Sequence, residues 1–221
     1  MTTASRCLAL FLMVAACAAP AVDTTVAIEA RPGAAEPEQA VSLLFRSLAA
    51  GDYETAANLT VPGQMVIVAL VEGSSVATAN SLLADGSVQV GARFWESFAA
   101  SLSGFLGYAP ADVRIGEVSL YSVAGADFAV VEATVPLESG IRRLIVKSGD
   151  GWYVDVIASF APALVPKLAP AAELLRGDPA GSDLLEVLAG QQPSLEMVLA
   201  EPGLSAQIQQ AVFQVLEVIR R

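Results

Sequence analysis

Between Val113 and Ile157 apolar and polar residues alternate with a period close to two, and three turn-forming clusters interrupt them. The pattern predicts four antiparallel strands, Val113–Tyr121, Phe128–Leu137, Ile141–Lys147 and Trp152–Ile157. The interruptions are Ala124-Gly125-Ala126-Asp127, Glu138-Ser139-Gly140 and Ser148-Gly149-Asp150-Gly151. Glycine supplies the positive φ of a tight hairpin, and aspartate tolerates such turns. In the first strand the apolar phase jumps between Ile115 and Val118, and Gly116 at the jump predicts a β-bulge.

Facing Leu137 with Ile141 and Lys147 with Trp152 assigns the two faces of the sheet. One collects Val131, Ala133, Val135, Leu137, Ile141, Ile145, Trp152, Val154 and Val156, with Arg143 and Lys147 near its ends. This face is expected to lie under helices, with Trp152 in the core. The other is mixed, with Phe128, Val130, Glu132, Thr134, Arg142, Leu144, Val146, Tyr153, Asp155 and Ile157. A slip of one residue exchanges the sets, because side chains alternate strictly along a strand.

The flanking segments have helical spacing. Pro37-Glu38-Gln39-Ala40 opens a helix with Val41, Leu44, Phe45 and Leu48 on one face, which Gly51 ends. Asp52 is placed to cap a second helix over Tyr53–Asn58. The run from Gln64 to Glu72 is apolar nearly all round, and periodicity leaves helix and strand both open. Further helices are expected over Ser74–Ala84 and Ala92–Leu106. The second carries Phe94, Trp95, Phe98, Leu102 and Phe105 on one face, which reads as core. After the sheet, Pro162, Pro166 and Pro170 predict only broken helical turns over Ala161–Arg176. Helices then follow from Ser182 or Asp183 to Leu188, from Ser194 to Leu199, and from Leu204 to Arg220. The last has a continuous apolar face and no lysine-lined polar face, so it is expected to pack on the domain, not on a membrane.

Composition narrows the chemistry. The 221 residues carry a formal charge of −11, which argues against a nucleic-acid partner. Histidine is absent, which excludes a Ser-His-Asp triad. The two cysteines, Cys7 and Cys17, both precede the predicted domain, so neither a disulfide framework nor a Cys/His zinc site is expected there. No Asp-x-Asp-x-Asp-Gly calcium loop or glycine-rich phosphate loop occurs. No metal and no cofactor are expected.

Residues 1–16 have a basic start with Arg6 and an apolar run from Cys7 to Val14, too short to span a bilayer and fitting an export signal. The run ends in Val14-Ala15-Ala16-Cys17, which resembles the lipobox of bacterial lipoproteins. That resemblance implies cleavage before Cys17, a thioether-linked lipid on Cys17 and, in some bacteria, N-acylation. Ala16-Cys17-Ala18 also fits ordinary signal cleavage after Ala18, which would give a secreted protein. Residues 17–36, rich in alanine and proline, read as a tether.

Two segments together resemble the nuclear-transport-factor-2-like (SnoaL-like) superfamily. One is Pro37-Glu38-Gln39-Ala40-Val41 through Ala50-Gly51-Asp52-Tyr53-Glu54-Thr55-Ala56; the other is Gly149-Asp150-Gly151-Trp152-Tyr153-Val154-Asp155. The resemblance covers about Pro37 to Ser159. It implies a curved sheet wrapped on an N-terminal helix with a pocket at the wide end, and it carries over no catalytic residue. The expected fold is therefore α+β, with a curved antiparallel sheet of about four strands packed on N-terminal helices. The domain spans 37–159, and 160–221 form a helical C-terminal extension packed on it.

One constellation on the mixed face is a candidate ligand-binding group: Glu132, Arg142, Tyr153 and Asp155. Cross-strand charge pairs of this kind also hold strand register without binding anything. The function expected is that of a non-catalytic, membrane-anchored envelope lipoprotein, with a small apolar ligand or another envelope protein as partner. A pocket enzyme using a buried carboxylate as general base is the alternative; a carboxylate on the inner sheet face would favour it.

Overall fold

A computed structural model describes residues 33–86, 88–105, 108–135 and 141–221. The leader, Cys17, most of the tether, Leu137 and the Glu138-Ser139-Gly140 turn lie outside the described residues, as does the side chain of Arg142.

The described residues open with helices α1 (Pro37–Ala50), α2 (Tyr53–Asn58), α3 (Gln64–Val71), α4 (Val76–Asp85) and α5 (Val88–Phe105). Strands β1 (Arg114–Val123), β2 (Ala126–Thr134), β3 (Ile141–Ser148) and β4 (Trp152–Val154) follow as one antiparallel sheet in the order β1-β2-β3-β4. The chain ends in α6 (Val156–Ser159), α7 (Ala161–Gly177), α8 (Ser182–Ala189), α9 (Gln192–Ala200) and α10 (Ala206–Arg220). The fold is α+β as expected, but the sheet is not strongly curled.

Local chemistry explains most of the boundaries. Gly51 closes α1 in the left-handed conformation at φ 70°, and Asp52 Oδ1 accepts from Thr55 N at 3.1 Å. The β1–β2 hairpin turns through Ala124 and Gly125, both at positive φ, as the right-handed strand twist requires. The ladder shifts between Ile115 and Val118, where the bulge was expected. The β3–β4 turn lies against the chain before α1. Ala34 bridges to Trp152, and a Cβ on Gly151 would come within 2.6 Å of the Gly33 backbone, so only glycine fits there.

The register departs from the expected one. Thr134 faces Ile141 and Phe128 faces Lys147, while Ser148, not Lys147, faces Trp152. The β2–β3 pairing is thus displaced by an odd number of residues, and β3 presents the opposite face. Leu144 and Val146 join Ala129, Val131, Ala133 and Val154 against α1, α2 and α5. Ile145 joins Phe128 and Val130 against the C-terminal helices, with Val165, Leu168, Val198, Val212, Val215 and Leu216. Both faces are therefore covered. Trp152 is only partly buried, and the fully enclosed tryptophan is Trp95, whose Nε1 donates to Thr60 Oγ1 at 3.1 Å.

Two expected elements are corrected. The fourth strand stops at Val154, because Asp155 caps α6 by accepting from Ala158 N at 2.9 Å. Residues Ala161–Gly177 form one continuous helix, not broken turns. Pro162 sits in its first turn, and Pro166 and Pro170 follow at intervals of four on one stripe that is exposed or half-exposed. The carbonyls left without an N–H partner lie on this solvent side, while Leu164, Val165, Leu168, Ala172 and Leu175 pack inward.

Helix α3 lies where all the cores meet. Met65 and Val68 belong to the cluster under the first sheet face, and Ile67 belongs to the cluster under the second. Val66 and Leu70 pack with Val76, Ala79, Leu175 and Leu184. A helix apolar all round is what this position demands.

Candidate functional site

The structure does not gather the four candidate residues. Glu132 faces Arg143 across the ladder, and Arg142 faces Ala133, one step out of phase with Glu132. Tyr153 faces Lys147 and donates its hydroxyl proton to Asp150 Oδ1 at 2.5 Å in the β3–β4 turn. Burial, reinforced by that carboxylate, pushes its phenol up to about 12. Asp155 lies at the β4–α6 junction with no exposed surface.

Asp155 instead belongs to a buried polar joint that sequence reasoning missed. Gln64, the first residue of α3, donates from Nε2 to Asp155 Oδ1 at 2.8 Å and to Gln191 Oε1 at 3.0 Å. Its Oε1 accepts from Val156 N at 2.7 Å. Gln191 in turn donates toward the carbonyls of Val187 and Pro62. Ser194 completes the group, and all four side chains are buried. The joint ties α3, the end of the sheet and the α8–α9 connection together at one point. The available signal was a lone glutamine opening an otherwise apolar helix.

Electrostatics make the joint asymmetric. Burial holds the Asp155 carboxyl above the ordinary aspartate range, opposed by the Ser194 hydroxyl, the Ala158 N–H, the Gln64 amide and the charge of Lys147. Lys147 is itself lowered by burial, with Asp155 acting the other way. Oδ1 takes both the Gln64 and the Ala158 hydrogen bonds, whereas Oδ2 and the neighbouring Ser194 Oγ complete none. The joint is enclosed and lines none of the surface cavities described below, so its geometry is that of a structural lock.

An open groove of about 540 Å³ lies between α3, α4, α5 and α7. Helix α5 contributes Val90, Arg93, Phe94, Ser97, Phe98 and Ser101, the i, i+3, i+4, i+7 face of a helix. Phe160 and the start of α7 contribute Ala163, Leu164 and Lys167 at the same spacing, and Val68, Glu72, Thr78 and Leu82 line the rest. Phe160 meets Phe94 and Phe98 edge-to-face, with ring centroids 5.9 and 5.5 Å apart, and Trp95 backs them from the core. The lining is mostly apolar, with Arg93, Lys167 and Glu72 exposed around it. The α5 aromatics expected in the core thus have two roles: Trp95 is enclosed, while Phe94 and Phe98 are half-buried and form a wall. Only tertiary packing brings Phe160 and Lys167 beside them.

Two other depressions, each about 500 Å³, flank α1 and the bulged end of β1, sharing Ser42, Arg46 and Ile115. Their linings divide nearly evenly between polar and apolar surface. Among the described residues no cluster of three or more metal-binding side chains occurs, and no helix is long and apolar enough to cross a membrane. No family model matches the chain, and comparisons with curated proteins and with solved structures likewise find no match.

Proposed function

We propose that this protein is an exported envelope lipoprotein, anchored through a lipid on Cys17, whose globular part is a non-catalytic module binding a small apolar ligand in the α3–α4–α5–α7 groove. The observation that carries the binding reading is the groove itself. Its volume of about 540 Å³ falls within the roughly 300–1,000 Å³ of ligand sites, and an aromatic wall with a few polar groups is their usual lining. The anchor rests on Val14-Ala15-Ala16-Cys17; it places the module on the outer face of the cytoplasmic membrane or in the periplasm. Secretion after cleavage at Ala18 is the alternative.

The enzymatic alternative needs a buried carboxylate beside a pocket. Asp155, the one carboxylate buried among the described residues, is absent from the groove lining. The buried part of the inner sheet face is the apolar set Ala129, Val131, Ala133, Leu144, Val146 and Val154, and the acid of the same strand parity, Asp127, is exposed at the hairpin end. Both observations favour binding. A relation to the nuclear-transport-factor-2-like cone is supported by the order of helices then antiparallel sheet and by α1 lying against β4. The weakly curled sheet and helices α7–α10 depart from that pattern.

Native mass spectrometry of the purified globular part, with solvent extraction, tests the reading: a retained hydrophobic molecule is expected. Fractionation of Cys17→Ser tests the anchor. A mutant that stays in the membrane fraction as fully as wild type would refute it.

A further inference from the structure

We propose that the groove receives a single-chain fatty acid, its carboxylate between Arg93 and Lys167 and its hydrocarbon tail along Phe94, Phe98 and Phe160. This rests on the reading of the groove as the binding site and adds the class of ligand. The charge pattern carries it. The chain holds 23 acids against 12 lysines and arginines, so a recess lined by two cations and one acid runs against the charge of the chain. Arg93 and Lys167 are both exposed, pair with no acid among the described residues and stand on different helices of one mostly apolar groove. The exposed Arg46, Arg114 and Arg143 are likewise unpaired, but none of them lines this groove.

The sum of charges selects the head group. Glu72 lines the same groove, so the cavity presents two cations and one anion. A net single positive charge matches one carboxylate and is poorly matched to a dianionic phosphate monoester. The guanidinium of Arg93 suits the planar, bidentate geometry of a carboxylate. The shape selects the tail: the edge-to-face triad of Phe94, Phe98 and Phe160 makes one continuous apolar strip between the two helices. One strip fits one chain better than the paired chains of a phospholipid.

The test uses the delipidated full-length protein and displacement of a hydrophobic fluorescent probe by palmitate, hexadecanol and phosphatidylglycerol vesicles. Palmitate is expected to compete about tenfold better than hexadecanol. The Arg93→Gln/Lys167→Gln double variant should remove that preference without changing hexadecanol, and Glu72→Gln should strengthen palmitate. Equal competition by acid and alcohol, or a double variant that keeps the preference, overturns the head-group assignment and leaves the groove standing. Preferred uptake of phosphatidylglycerol also overturns it. Ala163→Trp, which fills the exposed groove without touching the core, separates the two readings: undiminished palmitate binding would place the site elsewhere and sink both.

Discussion

Gln64 Nε2 lies 2.8 Å from Asp155 Oδ1, a hydrogen bond between side chains 91 residues apart in sequence. With Gln191 as its second acceptor and Val156 N as its donor, Gln64 connects three layers through one amide. Gln64→Ala leaves a buried carboxyl, a buried amide and a buried N–H each short of a partner, and opens a cavity. It should destabilise the protein by about 3 kcal/mol or more, read by urea unfolding. A loss under about 1 kcal/mol would show that water or repacking takes over the joint.

The raised Asp155 pKa makes a signed prediction. Between the unfolded aspartate value of about 3.9 and the higher folded value, the native state binds more protons than the unfolded one. Stability from this group is therefore fully present below the unfolded pKa and is lost as pH rises through the folded one. Asp155→Asn keeps an acceptor for Gln64 and Ala158 and supplies a permanent donor toward Ser194. It should flatten that part of the pH–stability curve and equal or exceed wild type at neutral pH. Thermal melts across the acid-to-neutral range check both. A variant less stable than wild type at neutral pH would mean that the ionised carboxylate is the form the joint requires.

Thr60→Val removes the acceptor of the buried Trp95 indole N–H while conserving volume. The expected cost is about 1–3 kcal/mol, that of an unsatisfied buried donor. Unfolding followed by tryptophan fluorescence measures it. An unchanged midpoint would mean that the indole finds another partner.

Ala124 adopts φ 51° in the β1–β2 turn, the one non-glycine residue at positive φ among the described residues. Ala124→Asn creates an Asn-Gly turn and should raise stability by roughly 0.5–1 kcal/mol, because asparagine tolerates the left-handed region better than alanine. A lower melting temperature would contradict the turn geometry.

Truncation after Ser159 strips the cover from Phe128, Val130 and Ile145. The shortened chain should lose cooperative melting, and the amides of β3 should lose hydrogen-exchange protection. Unchanged melting and exchange would show that α7–α10 form an independent unit.

What was legible in the sequence was local. The alternation around Phe128 and Val131, the positive-φ turn at Ala124-Gly125, the bulge at Gly116 and the cap at Asp52 each follow from a few adjacent residues and their backbone preferences. So do the amphipathic helices α1, α5 and α10. What only the tertiary structure decided depends on distant partners. The face that β3 presents hinged on an odd shift in pairing with β2, and apolar residues at both parities of β3, Leu144 and Ile145 among them, left the pattern without a vote. The continuity of α7 depended on which side of the helix its three prolines meet, and that side is solvent only because Leu168 and Leu175 have cores to enter. Gln64 could not be read as a keystone until Asp155, Gln191 and Ser194 were brought to it. The groove likewise exists only because Phe160 and Lys167 are packed opposite Arg93 and Phe98, since periodicity records a helix's own faces and not which neighbour each one meets.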